Sequence, residues 1–406
     1  MELSLGFSKS TLKVEIDDSN IAGILRPNDV AVETTGVEEV KRALQHPIGV
    51  VGRLKDIVRR GEKIAIITSD ITRPMPSRLV LPEVIDELSQ AGIPPEDITV
   101  VFALGSHRKH TEEEKKYLAG DAVHGSIRCV DSDVADCVHM GTTANGTPVD
   151  IFSVVAKADR RICLGNIEFH YFAGYSGGAK AIMPGVSTRA AIQANHSRMV
   201  MEGAKAGEME NNPVRRDIDE VLHMVPVDFI VNVVLDEHKN IIRAVAGDAI
   251  LAHREGCRFL DRFYKVEIAK KADIVIVSAG GFPKDINLYQ AQKALDNAKH
   301  AVREGGIIIL VASCREGFGE KVFENWIMRC SAPRELIDGI QEHFELGGHK
   351  AAAIALVLEK SKVFLVSELA DDMVRKIYMR PYSDLQAAYD DATAELGKDS
   401  RVIVMP

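Results

Sequence analysis

Short apolar runs alternate with longer stretches of helical period along the whole chain. That alternation predicts a mostly parallel sheet with helices on its faces. The run KIAIIT (63–68) predicts a buried strand, followed by a loop and a helix over 78–91 that stops at Gly92 and Pro94–Pro95. ITVVFAL (98–104) and RRICLG (160–165) predict two more strands, with a helix near 111–119 behind the first of them. Two β-rich runs around a polar turn predict a hairpin at 227–246. The second half continues with strands at 272–281, 305–313, 362–368 and 401–406 and helices at 287–303, 333–342, 349–359 and 384–396.

The predicted class is therefore α/β, with two α/β domains whose sheets are mostly parallel and whose active site lies in the cleft between them. The boundary is placed after FLDRFYKVEIAKKA, giving an N-terminal domain of 1–268 and a Rossmann-like C-terminal domain of 269–406. A length of 406 residues suits two or three domains.

Composition narrows the partners. The net charge of −9, with both signs interspersed and no block of Lys or Arg, argues against a nucleic-acid surface. The six cysteines are scattered without a CxxC pair, which predicts a reducing compartment and no thiolate zinc site. No apolar stretch is long enough for a membrane span, and the opening MELSLGFSKSTLKVEIDD lacks the apolar core of a secretory leader. A cytoplasmic protein is expected.

In open α/β sheets, ligands gather beyond the carboxyl ends of the strands. Reading forward from four strand ends meets SDITRPMP (69–76) with Asp70 and Arg73, then GSHRKHT (105–111) with His107, then NIEFHYFAGYSGGAKAIMPG (166–185) with His170 and Lys180, then AGGFPKDINLYQAQKAL (279–295) with Gln290 and Lys293. Asp70 and Arg73 could equally form a turn salt bridge, though a guanidinium fork also suits a carboxylate. His107 lies in a loop too polar for a core histidine, and His110, toward the next helix, reads as a surface residue. Gly174, Gly177 and Gly178 would let backbone N–H groups approach a phosphate. GYSGGAKA fails the ATPase P-loop pattern, because Ala179 stands at the second glycine and Ala181 at the Mg²⁺-binding hydroxyl. A helix capped by Ser187 carries His196, and the spacing of His170, Lys180 and His196 matches no zinc signature. Separated histidines with an arginine suit a two-base inversion at a carbon next to a carboxylate.

Taken in order, SDITRPMP, GSHR, EFHYFAGYSGGAKAIMPG, the downstream Asn195–His196, YQAQK and GFGE resemble the nickel-pincer-dependent lactate racemases and their 2-hydroxyacid racemase and epimerase relatives, over about residues 60–350. The resemblance implies an isomerase with a nickel-pincer nucleotide, a pyridinium-3-thioamide-5-thiocarboxylic acid mononucleotide, covalently bound to Lys180. It implies His196 as the protein ligand to nickel and His107 and His170 as alternating bases. Asp70, Ile71, Thr72, Arg73, Tyr175, Ser176, Gly177 and Gly178 would border the cofactor, and Arg73, Gln290 and Lys293 would contact a small 2-hydroxy acid. Separate cofactor-biosynthesis enzymes are implied as partners. The family's hydride chemistry avoids the dianion that proton removal from a carboxylate would create, and it belongs to the cofactor rather than the protein. A tryptophan lines the substrate pocket in the lactate enzymes. Here the only tryptophan, Trp326, falls elsewhere, and two glycines in FELGGHKA (344–351), beside His349 and Lys350, are expected to open room for a larger hydroxy acid. The alternatives are a Schiff-base lyase using Lys180 and a non-enzymatic nucleotide-binding protein.

Overall fold

β-branched residues in an unbroken run can be covered only when a sheet carries helices on both faces. In the computed structural model, which describes residues 1–406, all the predicted runs form strands: Ile64–Ser69, Ile98–Ala103, Arg160–Asn166, Phe229–Leu235, Ile241–Gly247, Ala272–Ser278, Val302–Val311, Lys362–Val366 and Val402–Met405. The predicted helices are Ser77–Gln90, Glu112–Ala119, Leu288–Ala298, Pro333–Glu342, Gly348–Leu358 and Leu385–Leu396. The helix expected over 287–303 ends at Ala298, because the strand Val302–Val311 begins four residues later.

The chain divides into two units, residues 29–263 and residues 1–28 with 264–406. In the first, the sheet order is Ile241–Gly247, Phe229–Leu235, Arg160–Asn166, Ile64–Ser69, Ile98–Ala103, Arg128–Asp131. Only the outer hairpin, Phe229–Leu235 with Ile241–Gly247, is antiparallel. The chain builds outward from Ile64–Ser69 in one direction and then returns to its other side with Arg160–Asn166. That reversal is where an open α/β sheet leaves a crevice at its strand ends. Ile64, Ile66, Val100, Phe102, Ile162 and Leu164 anchor its core.

The second unit has a wholly parallel sheet, ordered Arg380–Tyr382, Lys362–Val366, Val302–Val311, Ala272–Ser278, Val402–Met405, Ile21–Ile24. The N-terminal residues, expected with the first domain, thus supply an edge strand here. The hairpin of Glu2–Phe7 and Ser10–Glu15 joins them, with Leu5, Val14 and Ile16 in one core with Leu385, Ala388 and Tyr389. Its partners lie more than 250 residues on, as in the Glu15 N–H donating to Gln386 Oε1 at 2.7 Å (|i−j| = 371) and Ser278 donating to the Gly6 carbonyl (|i−j| = 272). No local pattern could announce them. No helix is long and apolar enough to cross a membrane.

The expected opening at FELGGHKA is filled by the unit itself. A Cβ on Gly348 would meet the Trp326 indole at 2.5 Å, and one on Gly347 would collide with the Glu320 carboxylate. Trp326 is buried and donates from Nε1 to Glu345 at 2.5 Å. Gly348 makes room for the protein's own indole and Gly347 for the Glu320 carboxylate, so the pair gives no ground for a larger substrate.

His349, next in this helix, is buried and accepts from the Gly347 N–H at 2.9 Å. Burial, reinforced by the Lys350 charge, pushes its imidazole down to about 3. Unfolding returns it to about 6.5, so below that pH the unfolded chain binds a proton the fold refuses. Its contribution to stability is intact above about 6.5 and is lost as acidity rises. The melting temperature of His349→Gln should therefore fall less steeply than that of the parent between about pH 6.5 and 4. Identical slopes would remove His349 from the acid response.

Candidate active site

Three neighbouring parallel strands of the 29–263 unit end on one rim. Beyond Ser69, the chain turns on the Arg73 N–H to Asp70 carbonyl bond of 3.1 Å. Asp70 is buried and spends its carboxylate on His107 Nδ1 at 2.7 Å and on the Thr72 hydroxyl at 3.0 Å. Burial alone would raise the Asp70 carboxyl; the His107 and Thr72 hydrogen bonds and the Arg73 charge outweigh it and hold it below the usual range. An ionised Asp70 takes the proton-bearing Nδ1 of His107, which leaves Nε2 as the ring's outward acceptor. The turn salt bridge between Asp70 and Arg73 does not form: Asp70 goes to His107, and the exposed Arg73 makes no ion pair.

His110 is not at the surface. Its side chain is 1% exposed, with Nδ1 to Asp131 at 2.6 Å and Nε2 accepting the Ile71 N–H at 3.1 Å. It thereby clamps the loop that carries Asp70. Pattern reading placed it outside because its partners, Asp131 and Ile71, come from other strand ends.

His170 sits on a two-residue ladder in which Phe169–His170 pairs with Gly174–Tyr175. Its Nδ1 accepts the Ala173 N–H at 3.2 Å. Phe172 stands edge-on to His170 at 4.5 Å and to His196 at 4.9 Å, so one ring separates the two imidazoles. Burial pushes His170 well below the ordinary histidine range, and Lys180, His196, Arg73 and Arg215 push the same way. Both effects favour the neutral ring.

His196 closes the helix Arg189–His196, whose cap is Thr188, not Ser187; Ser187 donates instead to the Ile182 carbonyl at 2.8 Å. Asn195 fixes its tautomer. The Asn195 amide nitrogen donates to Asp217 at 2.8 Å and to the Val214 carbonyl at 3.1 Å, so its oxygen must face His196 Nδ1, 2.9 Å away. Nδ1 is then the donor, and Nε2 keeps the lone pair a metal needs.

Lys180 follows the glycine loop. It is half-buried, and desolvation pushes its amine well below the usual lysine range, with Arg215 and Arg73 adding and Glu168 opposing. No hydrogen bond or ion pair holds that amine. The loop glycines are needed for the loop's own seat. Gly174, Gly177 and Gly178 all have positive φ (75°, 76° and 59°). A Cβ would strike the Glu208 carbonyl at Gly174, Asn232 at Gly177 and the His253 ring at Gly178. The Gly178 N–H goes to Asn232 Oδ1 at 2.8 Å, the Ser176 hydroxyl to the Asn166 carbonyl at 2.7 Å, and the Tyr175 hydroxyl to Asp261 at 2.6 Å.

One unit therefore brings Asp70, Ile71, Thr72, Arg73, His107, His170, Lys180 and His196 to linked loops. Gln290 and Lys293 lie on the Leu288–Ala298 helix of the other unit, Gln290 half-buried and Lys293 exposed. Arg215, Asp217 and His253 were missed; the stretch NNPVRRDIDE reads as a solvated charged face, and only its Asn–Pro helix start is a legible signal.

Against known proteins, residues 7–207 match the lactate racemase N-terminal domain and residues 267–406 the lactate racemase C-terminal domain. The lactate racemases of Thermoanaerobacterium thermosaccharolyticum and Lactiplantibacillus plantarum are each 34% identical over 416 residues, covering 100% of this chain and 97% of theirs. The solved apoprotein of the former superposes with a TM-score of 0.90 at 34% identity, over 100% of this chain and 98% of that one. A Thermotoga maritima protein at 17% identity and TM-score 0.61, covering 91% of this chain and 98% of its own, shares the fold. Fold and site thus define an α/β isomerase of two units. The chain belongs to the lactate racemase family.

Proposed function

We propose that this enzyme racemises or epimerises a 2-hydroxy acid at C2, using a nickel-pincer nucleotide joined to Lys180. The observation that carries the reading is the Lys180 amine, which has no partner although it lies among the charges of Arg73 and Arg215 and near His170. A structural lysine in such a place would be paired. The residues suit the group. Lys180 offers an amine free for covalent attachment, and His196 offers a lone pair whose direction Asn195 and Asp217 fix. No three His, Cys, Asp or Glu side chains converge to hold a metal unaided. A metal at His196 would draw its other donors from the bound group.

When bound, the group supplies a reversible acceptor for the α-hydrogen together with its electron pair. The chain does the rest. Arg73, free of ion pairs, takes the substrate carboxylate in its planar fork. Gln290 and Lys293 are assigned to the substrate by the same reading, and Ile71, Thr72 and the 175–178 loop to the border of the nucleotide. His107 and His170 act on opposite faces: one accepts the hydroxyl proton and the other returns a proton to the product hydroxyl. The pair holds one transferable proton, which changes sides at each turnover.

The test is protein made together with the cofactor-assembling enzymes and offered 2-hydroxy acids deuterated at C2, with lactate first and longer acids, hydroxy diacids and sugar acids after it. Racemisation should retain deuterium in both stereoisomers, and protein from a host without those enzymes should be folded and inactive. Washout of the label into water would mean proton abstraction and defeat the mechanism. Borohydride trapping of substrate on Lys180 in metal-free protein would establish the lyase instead.

A further inference from the structure

The largest fully buried side chain is a charged one. Arg215, on the helix Pro213–Glu220, is 0% exposed. A guanidinium sealed from water is costly unless its donors are used. Two of its nitrogens donate to backbone carbonyls of the loop leading to Lys180: Nε to Ala173 at 3.4 Å and Nη2 to Tyr175. Nη1 faces Asp219 at 3.4 Å. Asp219 also binds Arg254, which donates to His253 Nδ1 at 2.9 Å, and His253 Nε2 reaches the Ser176 carbonyl at 2.8 Å. At the start of the same helix, Asn212 donates to the Phe172 carbonyl at 2.8 Å.

We propose that Arg215 is the positioning residue of the tether: from beneath the 173–178 loop it fixes the path on which Lys180 is delivered. The proposal rests on the reading that Lys180 carries the bound group. Four carbonyls, those of residues 172, 173, 175 and 176, are held by one buried cluster. The same helix carries Asp217, which aims Asn195 at His196. One element of eight residues therefore references both the attachment point and the imidazole opposite it, so a shift of Arg215 changes their spacing. The Arg215 guanidinium is also the strongest charge acting on the amine, and it disfavours its protonated form.

Two measurements test this, one needing no cofactor. In the cofactor-free protein, Arg215→Met should speed amide exchange across residues 176–181 by about 10-fold or more while the Ile64–Ser69 strand exchanges as before. Arg215→Lys, which keeps charge and one donor direction but loses the fork, should recover part of the protection. In protein made with the assembly enzymes, the fraction of chains carrying the added mass on Lys180 should fall about 5-fold or more in Arg215→Met, with partial return in Arg215→Lys. If Arg215→Met does not fold, Asp219→Asn, which leaves Arg215 but removes its carboxylate, should show the same loop-confined change at smaller size. Unchanged loop exchange in the folded variant, or acceleration spread evenly over the whole unit, overturns the proposal. Equal loading of parent and Arg215→Met also overturns it. A parent that never gains mass while the loop responds as described sinks the tether reading and leaves the role of Arg215 standing.

Discussion

Lys180→Ala is expected to abolish racemisation to the limit of detection and to remove the added mass from the chain. A group held covalently acts at an effective concentration that free diffusion cannot reach, an advantage of about 7–11 kcal/mol at its upper end. Lys180→Arg should fail equally, because charge is not what the site uses. The fold itself should gain. The unfolded chain carries a protonated amine at pH 7, whereas the folded site, half-buried and flanked by Arg215 and Arg73, disfavours that proton. The linkage therefore costs stability at pH 7 and relents as pH rises toward the ordinary lysine value. Lys180→Met removes that cost and should melt above the parent, as expected where function keeps a destabilising group. His196→Ala should separate the two roles: the mass on Lys180 persists, nickel content drops and activity disappears. Substantial racemase activity in Lys180→Ala would be decisive against attachment there.

The strand ends were readable because the sheet is parallel. Every run such as KIAIIT or ITVVFAL names a strand, and parallel order sends the following loops to one rim. Lys180, His107 and His170 could be picked out on that basis, each being a polar group beyond a strand end, whereas His196 closes a helix and was given a role only through the family resemblance. What lay beneath them could not. Arg215 and Asp217 are polar residues on the buried face of a short helix, so periodicity assigns that face to water. Their partners lie up to 74 residues away, as with Asp217 to Thr143 and, nearer, Asp217 to Asn195 at 22 and Arg215 to Ala173 at 42. His110 failed for the same reason. The glycines at 347 and 348 misled in another way: missing side chains were taken as open space, and the fold uses them to seat the Glu320 carboxylate and the Trp326 indole. The N-terminal strand Ile21–Ile24 is legible only through its pairing with Val402–Met405.

His107→Gln and His170→Gln should each lower racemisation by about 10²–10⁴ with full mass on Lys180, since each removes the proton carrier for one face. Inversion fails when either histidine is lost, because return of the α-hydrogen with its electron pair to the opposite face of the planar keto acid needs a proton for the oxygen from the second histidine, and with one histidine only the starting stereoisomer is rebuilt. The two variants should therefore resemble each other in overall rate and differ in which stereoisomer still yields keto acid when offered alone. Asp70→Asn is a subtler test of the same arrangement. Its oxygens now fix the Nδ1 proton of His107; an amide nitrogen in their place would donate to Nδ1, move the ring proton to Nε2 and remove the acceptor from the working side. The loss should be comparable to that in His107→Gln and should not be restored by raising pH, since the wrong tautomer, and not the wrong charge, causes it. A variant at 107 or 170 that kept more than about a tenth of the parent rate would show that one base serves both faces, since a loss below tenfold, about 1.4 kcal/mol, is too small for the removal of an essential proton carrier.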